Sequence, residues 1–338
     1  MLTRDGGRAL QYSPPYAPLR GWIAGMMRQR GVECTADEVF ITNGNQQGLT
    51  ILSRLLLDPG ALAVVEEATF TGIQQVTSGR GAEVIGIPVD LATGVDVEAL
   101  EAAFSRTPRP RLAILIPDFH NPLGVSLTVE KRQRIADLAA HYQVPVIEDD
   151  PYSMLRFSGT PLPPIKAFDQ LDQVFYLGSF SKILAPTLRL GWMIAPRALL
   201  PRITAIRESI DLESSTLIQR AVHEFLSRGL LEPHLTHLNQ VHCERRNALL
   251  EALQEEFGES ATWTRPEGGL FVWATLAGDI DTWALFETAA AVEKVIYIPG
   301  AAFSVTGGHR SAMRLNFSAL PAEALRDAVQ RLARVMHP

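Results

Sequence analysis

Short apolar runs recur along the first 195 residues of the chain, and they lack the polar alternation of a strand with one exposed face. Runs of this length and composition are typical of strands that are covered on both sides, as in parallel sheets. They predict six strands: Leu62–Glu66, Val84–Val89, Leu112–Pro117, Val144–Glu148, Val174–Leu177 and Leu190–Ala195.

Helical patterns lie between these runs, most clearly in the segment Thr128–Tyr142. Thr128 is a suitable N-cap residue, and Glu130 suits the first turn, where a negative charge favours the helix dipole. Apolar residues from Ile135 to Tyr142 share one helical face. Alternating strands and helices predict an α/β fold with a mainly parallel, mixed sheet that is covered by helices.

The pattern changes after Pro196. The segment Leu199–Phe257 is mostly helical in character, with a break at Gly229–Pro233. The remainder predicts strands and a terminal helix, at Leu270–Ala274, Val295–Ile298, Met313–Phe317 and Ala322–Val335. We therefore expect a large domain over residues 1–205, followed by an interdomain helix and a smaller α+β domain over residues 206–338.

Composition narrows the class of protein. The 338 residues are 46% hydrophobic and 20% charged, which is ordinary for a folded globular chain. A net charge of −6 offers no basic surface for nucleic acid, and no apolar run approaches the roughly 20 residues of a membrane span. The two cysteines, Cys34 and Cys243, suit a reducing compartment, and the N-terminus lacks the apolar core of a signal peptide. We expect a cytoplasmic enzyme without a nucleic-acid or membrane partner.

Three polar clusters directly follow predicted strands, at Asp118–Gly124, Glu148–Tyr152 and Ser179–Lys182. Singly, each has an ordinary explanation as a turn, a helix cap or a solvated surface charge. In open parallel sheets, however, ligands bind beyond the carboxyl ends of the strands. We therefore expect the three clusters to converge on one site.

The Ser-Phe-Ser-Lys turn carries the most specific chemistry. Lys182 can form an imine with an aldehyde, while the hydroxyls of Ser179 and Ser181 and the guanidinium of Arg189 can hold a phosphate. Pyridoxal phosphate (PLP) combines an aldehyde and a phosphate in one molecule. The pattern therefore points to PLP as the cofactor.

Two further segments add candidate anion sites. Thr42–Gly48 opens a probable helix, whose free N–H groups and dipole can bind an anion. Arg314, on a predicted strand of the smaller domain, can clamp a carboxylate with two parallel hydrogen bonds. A domain–domain salt bridge is the alternative role for Arg314.

Taken in order, these motifs resemble the fold type I PLP-dependent aminotransferases, in the branch of 2-aminoadipate, kynurenine and multi-substrate enzymes. The resemblance covers nearly the whole chain, from Leu10–Ser13 to Arg314–Ser318. It implies a homodimer that exchanges an amino group between an L-amino acid and a 2-oxo acid, 2-oxoglutarate among them, by a ping-pong mechanism. The donor stays open, with 2-aminoadipate or an aromatic amino acid as the first expectation.

The resemblance also implies a role for each site residue. Lys182 would hold PLP as a Schiff base and carry the proton, and Asp149 would pair with the ring nitrogen and keep it protonated. Tyr152 and Asn121 would bind the ring hydroxyl. The remaining roles are ring stacking by Phe70, phosphate binding by Asn45, Gln46, Ser179, Ser181 and Arg189, phosphate binding in the neighbouring subunit by Tyr12, and substrate-carboxylate binding by Arg314 with Asn121.

The start of the chain departs from the family pattern. Members of the family carry several dozen residues before the Gln-Tyr segment, and the spacing within Tyr12–Tyr16 is shorter here. We expect either a missing or shortened N-terminal arm or a differently built substrate mouth. No winged helix precedes the domain, so we do not expect an intact aminotransferase-like transcription regulator.

Competing interpretations fit less of the sequence. Ser179–Lys182 matches the S-x-x-K element of penicillin-binding proteins, but their S-D-N and K-T-G elements do not occur. His234, His237, His242 and Cys243 do not share one helix face, so we expect a solvated face and no metal. The remaining rival is a catalytically weak PLP-binding effector module related to those regulators. Lyases and decarboxylases share the scaffold, but a carboxylate clamp at Arg314 favours transamination.

Overall fold

The computed structural model describes residue 7 and residues 10–336. Its strands in chain order are β1 (Val39–Thr42), β2 (Leu62–Glu66), β3 (Glu83–Ile87), β4 (Val89–Asp90), β5 (Gly94–Val95), β6 (Leu112–Leu115), β7 (Val146–Asp150), β8 (Val174–Ser179), β9 (Gly191–Ile194), β10 (Ala261–Trp263), β11 (Phe271–Leu276), β12 (Ile298–Pro299) and β13 (Ala312–Asn316). Its helices are α1 (Ala17–Gln29), α2 (Asn45–Leu56), α3 (Thr71–Ser78), α4 (Val97–Phe104), α5 (Val129–Tyr142), α6 (Leu200–Asp211), α7 (Thr216–Ser227), α8 (Leu231–Phe257), α9 (Thr282–Thr288) and α10 (Ala322–Met336).

Seven strands form one mixed sheet in the order β1-β9-β8-β7-β6-β2-β3. All neighbouring pairs are parallel except those of β9, which runs antiparallel to both β1 and β8. Strands β2, β6, β7 and β8 are buried along their whole length, as their uninterrupted apolar runs predicted. The predicted α/β fold with a mainly parallel, mixed sheet is confirmed.

The second sheet is antiparallel, with the order β10-β11-β13-β12, and α8 and α10 pack against it. The predicted break before the long helix is confirmed, because α7 ends at Ser227 and α8 begins at Leu231. The predicted strand Val295–Ile298 is wrong in its bounds. Lys294 has a left-handed backbone that ends the preceding helical turn, and the pairing with β13 begins only at Ile298. A domain boundary at residue 205 stays a proposal, since α6 crosses it.

Among the described residues, no helix has both the length and the hydropathy that crossing a bilayer requires. The larger sheet has its core on both faces, where two hydrophobic clusters meet it. Helix α2 approaches β8 closely at Gly48, where an added Cβ would lie 2.7 Å from a methyl carbon of Leu177. This contact holds the N-terminus of α2 next to the end of β8.

A buried ion pair holds the loop that follows β6. Both Nη atoms of Arg132, on α5, donate to the Asp118 carboxylate at 2.9 Å, and the guanidinium also donates to three backbone carbonyls. Neither side chain is more than 2% exposed. The N-cap of α5 is as predicted, since the Thr128 hydroxyl accepts from Lys131 N. Arg132 thus bonds residues on both sides of the loop Asp118–Gly124, because Pro117 and Asp118 lie at its start and Leu127 follows its end.

Replacing Arg132 with methionine is expected to lower the free energy of unfolding by about 3–5 kcal/mol, because Asp118 would keep only the more distant Arg156 as a cation and three carbonyls would lose their donor. Urea unfolding of the purified protein measures the change. Arg134→Met is the matched control, because Arg134 lies on the same helix in an exposed pair with Glu101 and should cost less than about 1 kcal/mol. Equal losses for the two variants would contradict this account of Arg132.

Candidate active site

The three strand-end clusters converge with the N-terminus of α2 and with β13 around one cavity of about 470 Å³. Strands β6, β7 and β8 are parallel neighbours, so their carboxyl ends meet at the same edge of the sheet. Eleven of the predicted site residues line the cavity: Asn45, Gln46, Phe70, Asn121, Asp149, Tyr152, Ser179, Ser181, Lys182, Arg189 and Arg314. Tyr12 does not line it, and 81% of its surface is exposed.

Asp149 is the buried acid of the cavity. Burial raises its pKa to about 7, and the negative charges of Asp150 and Glu66 act in the same direction. The Asn45 amide opposes this shift by donating a hydrogen bond of 2.6 Å to Asp149 Oδ1. A positively charged group bound against this carboxyl would be strongly favoured, because it would compensate a buried negative charge. Asp149 therefore fits the ring nitrogen of PLP.

Asn45 is oriented differently from what its predicted phosphate role suggests. Its side chain donates to Asp149 and, at 3.3 Å, to the Leu177 carbonyl, so it braces the acid. Its backbone N–H lies at the first position of α2, where no intrahelical partner exists. Only this backbone group points to an anion role for Asn45.

Lys182 lies in the turn after β8 and lines the cavity. Burial lowers the pKa of its ammonium group, and the positive charges of Arg314 and Arg189 lower it further. A lowered pKa raises the fraction of neutral amine, which is the form that attacks an aldehyde.

The N-terminus of α2 forms the anion end of the cavity. Gly44 precedes the helix with φ of 87°, and no side chain caps the free N–H groups. Arg189 has a left-handed backbone and donates from Nη2 to the Asn43 carbonyl at 2.9 Å, which places its guanidinium beside Gly44. Ser181 N donates to Ser179 Oγ at 3.0 Å across the same end. This set of donors fits a phosphate group.

Phe70 and Gln46 are held together by the start of α3. An added Cβ at Gly72 would meet the Phe70 ring and Gln46 Oε1 at 2.3 Å, so only glycine allows this packing. Gln46 also donates from Nε2 to the Gly72 carbonyl at 3.1 Å. The Phe70 ring is therefore fixed in the cavity wall.

Arg314 reaches the cavity from β13 of the second sheet. Its Nη1 donates to Asn121 Oδ1 at 2.7 Å, and its guanidinium lies over the rings of Phe271 and Phe303 at 4.2 and 5.0 Å. Its Nε is buried without a hydrogen-bond partner among the described residues. An unpartnered buried donor on a cation is a favourable place for a carboxylate oxygen.

Tyr152 is buried beside Asn121 and Arg314. Burial raises the pKa of its hydroxyl, and the Asp149 charge raises it further, so the group stays protonated. Its ring packs edge-on against Phe271 at 6.0 Å. Tyr152 therefore presents a hydrogen-bond donor to whatever occupies the cavity.

Sequence reasoning missed two supports of this site. His120 and Glu66 form a buried pair at 2.9 Å beneath the loop Asp118–Gly124. A charged residue ending the otherwise apolar β2 was the available signal for Glu66. Asp211, on α6, accepts from the side chains of Asn43 and Gln47 and so anchors the turn before α2. Nothing in the local sequence indicated this contact, which joins residues 164 and 168 positions apart.

The predicted solvated face around His234 is wrong for part of its residues. His242 is buried, and this burial together with Arg245 lowers its pKa to about 4. His234 hydrogen-bonds the Ile183 carbonyl at 2.9 Å. Helix α8 packs against both sheets, which the sequence pattern did not reveal. Within residues 10–336, no group of three His, Cys, Asp or Glu side chains could hold a metal ion.

Comparison with known proteins finds a family model and relatives that are similar over nearly the whole chain. The family model described as aminotransferase class I and II matches residues 3–332. An aromatic-amino-acid aminotransferase from Thermococcus litoralis is 36% identical over 99% of this chain and 82% of its own length.

Two solved structures are similar over 99% of the chain. One is a kynurenine aminotransferase from Pyrococcus horikoshii in complex with PMP, with a TM-score of 0.93, 34% identity and 84% of its own chain covered. The other is an α-aminoadipate aminotransferase from Thermus thermophilus, complexed with N-(5'-phosphopyridoxyl)-L-leucine, with a TM-score of 0.92, 34% identity and 86% of its chain covered.

Proposed function

This chain belongs to the aminotransferase class I and II family, and on that premise we propose that Lys182, Asp149 and Arg314 carry an amino exchange between an L-amino acid and a 2-oxo acid. The protein is a PLP-dependent aminotransferase. The observation that carries the finer proposal is that one cavity is lined by a lysine with a lowered pKa, a buried acid and the guanidinium of Arg314.

The proposed sequence of substrate binding follows from the number of arginines that can bind a substrate carboxylate. Among the described residues that line the cavity, Arg314 is the one arginine that does not lie beside the N-terminus of α2. The amino acid and the 2-oxo acid both carry an α-carboxylate, so they must use Arg314 in turn. This supports a ping-pong exchange, with 2-oxoglutarate as the proposed acceptor. The donor stays open, with 2-aminoadipate or an aromatic amino acid as the first candidates.

When bound, PLP supplies an electron-accepting ring for the charge that develops at the substrate Cα. Lys182 Nζ would hold the cofactor and, once released, carry the proton between the substrate Cα and the cofactor's C4′. Asp149 would keep the ring nitrogen protonated. Tyr152 and Asn121 would donate to the ring hydroxyl, and Phe70 would cover one ring face.

The phosphate would lie at the N-terminus of α2. The proposed ligands are Asn45 and Gln46 through the helix N-terminus, together with Ser179, Ser181 and Arg189. Tyr12 is exposed and lies outside its own cavity, so its proposed contact with phosphate requires the cavity of a neighbouring subunit. We therefore propose a homodimer. Cys34 and Cys243 are both free, which supports a cytoplasmic location.

Replacing Asp211 with alanine is expected to weaken PLP binding about tenfold, because the turn that presents the α2 N-terminus would lose its anchor. Absorbance titration of the apoprotein with PLP measures the dissociation constant. Glu208→Ala, an exposed acid on the same helix, should leave that constant unchanged within about twofold. Equal affinities for the Asp211 variant and wild type would remove Asp211 from the phosphate site.

The proposed function is tested with the purified protein and PLP. Glutamate is expected to change the visible absorption, and a 2-oxo acid to restore it with formation of the matching amino acid. Borohydride reduction followed by peptide mapping is expected to place the cofactor on Lys182. An effector module would respond to glutamate without turnover, and a decarboxylase would release CO₂. Either result would overturn the proposed exchange.

A further inference from the structure

A second cluster of polar side chains joins the two sheets behind the carboxylate clamp. We propose that Glu67 is a positioning residue for Arg314, which acts by fixing the loop of residues 300–309 and with it the ring of Phe303. This inference rests on the proposed role of Arg314. Glu67 does not line the cavity, and no motif of the sequence singled it out.

Glu67 is the first residue after β2, and its carboxylate is satisfied entirely from the loop. Oε1 accepts hydrogen bonds from Ser304 Oγ at 2.5 Å and from Thr306 Oγ1 at 2.6 Å, and Oε2 pairs with His309 Nε2. Its backbone carbonyl accepts from Val305 N at 3.0 Å. One residue at the end of β2 thus binds four residues of the loop.

Glu67 remains an anion at neutral pH. Burial acts to raise its pKa, but the hydrogen bonds from Ser304 and Thr306 and the neighbouring His309 outweigh burial and leave the pKa lowered. Only 17% of the side chain is exposed. Charge-assisted hydrogen bonds of this kind are about twice as strong as neutral ones. The carboxylate is therefore a firm attachment for the loop.

The attachment fixes the backbone of Phe303. Thr69 N donates to the Phe303 carbonyl at 2.9 Å, Gln74 Nε2 donates to the same oxygen at 2.7 Å, and Ala68 forms an isolated β-bridge with Ser304. The segment that follows Glu67 is thus tied to Phe303 and Ser304. A shift of the loop would break these bonds together.

Phe303 is one of the two rings that hold the Arg314 guanidinium. Its ring is buried and packs edge-on against Trp273 at 6.1 Å, while Phe271 lies over the same guanidinium. Two rings over one cation favour a fixed plane for that cation. A guanidinium held in one plane binds a planar carboxylate with less loss of conformational entropy. Glu67 therefore acts on substrate affinity through Phe303.

The test is the steady-state kinetics of Glu67→Ala in the PLP-loaded protein. The Michaelis constants of both the amino donor and the 2-oxo acid are expected to rise about tenfold, because both use Arg314, while kcat and PLP affinity change by less than about twofold. Glu67→Gln keeps an acceptor for Ser304 and Thr306 and is expected to recover most of the affinity. Glu83→Ala, an exposed acid on β3, is the matched control.

A carboxylate that lacks the amino group separates this inference from the proposed function. 3-Phenylpropanoate binding, followed through the absorbance of bound PLP, needs no turnover, and its dissociation constant is expected to rise with the Michaelis constants. If wild type shows no turnover, the proposed exchange fails while this titration still tests Glu67. An unchanged constant within twofold, or a parallel loss of PLP affinity, would overturn the inference. Should Glu67→Ala not fold, the double variant Ser304→Ala/Thr306→Ala removes both hydrogen bonds to Oε1 and is expected to change the constants in the same direction.

Discussion

Replacing Lys182 with alanine is expected to lower the rate of amino exchange by several orders of magnitude while leaving weak PLP binding. The alanine variant keeps the phosphate end of the cavity, with Arg189 and the N-terminus of α2, and it keeps the buried acid Asp149. It loses the amine that would hold the cofactor and carry the proton. Stopped-flow single-turnover assays with glutamate measure the rate of exchange, and an absorbance titration measures the affinity for PLP separately.

An exposed lysine provides the matched control for this variant. Lys294 is exposed, lies at the end of the helical turn after α9 and does not line the cavity, so Lys294→Ala is expected to match wild type. Added methylamine should restore part of the rate of Lys182→Ala, because a small amine can enter the space of the lost side chain. A rate for Lys182→Ala close to wild type would show that another residue transfers the proton.

The site could be predicted from the sequence to the extent that its residues stand at the ends of apolar strands. Asp149, Ser179 and Asn121 follow three runs whose burial on both faces required a parallel sheet, and parallel neighbours bring their ends together. The helix N-terminus at Asn45 was visible for a similar reason, because a glycine and small polar residues opened an amphipathic segment. Local pattern and topology agree at these positions.

Contacts that depend on packing between distant segments could not be predicted. Strand β1 is only four residues long, and its pairing with the antiparallel β9 is set by tertiary contacts. Asp211 and Glu67 each bind side chains or loops more than 160 positions away, and their own neighbourhoods look like ordinary surface. Both are polar residues that orient other residues of the site. Their roles can be inferred only when the three-dimensional structure shows which distant residues they hydrogen-bond.

The same limit applies to the environment of Asp149. Its sequence position suggested a partner for a ring nitrogen, but its pKa depends on how completely the fold buries it and on which acids lie nearby. The end of β7 carries Glu148 as well, whose pKa is also raised to about 7 by burial and by Asp150. Such clustering of buried acids destabilises the protein by itself and is typical of functional sites.

Replacing Asp149 with asparagine is expected to stabilise the apoprotein at high pH while abolishing efficient exchange. The folded pKa of about 7 lies above the ordinary value of 3.8. A raised pKa means that the folded state binds the proton more tightly, so stability falls as pH rises from about 4 through about 7. Asparagine keeps the acceptor for Asn45 and carries no charge. The variant should therefore gain about 4 kcal/mol over wild type by pH 8, and almost nothing at pH 4.

Loading with PLP is expected to reverse the order of stability of wild type and Asp149→Asn at high pH. A protonated ring nitrogen compensates the Asp149 carboxylate, so cofactor should stabilise wild type more than Asp149→Asn, and the variant should lose at least about 10²-fold in kcat. Urea unfolding of apo and loaded protein at several pH values gives both comparisons. If the free energy of unfolding had the same pH dependence in the two apoproteins, burial would not raise the pKa of Asp149. Equal stabilisation by PLP would mean that its carboxylate does not meet the ring nitrogen, and the electrostatic basis proposed for the exchange would then be wrong.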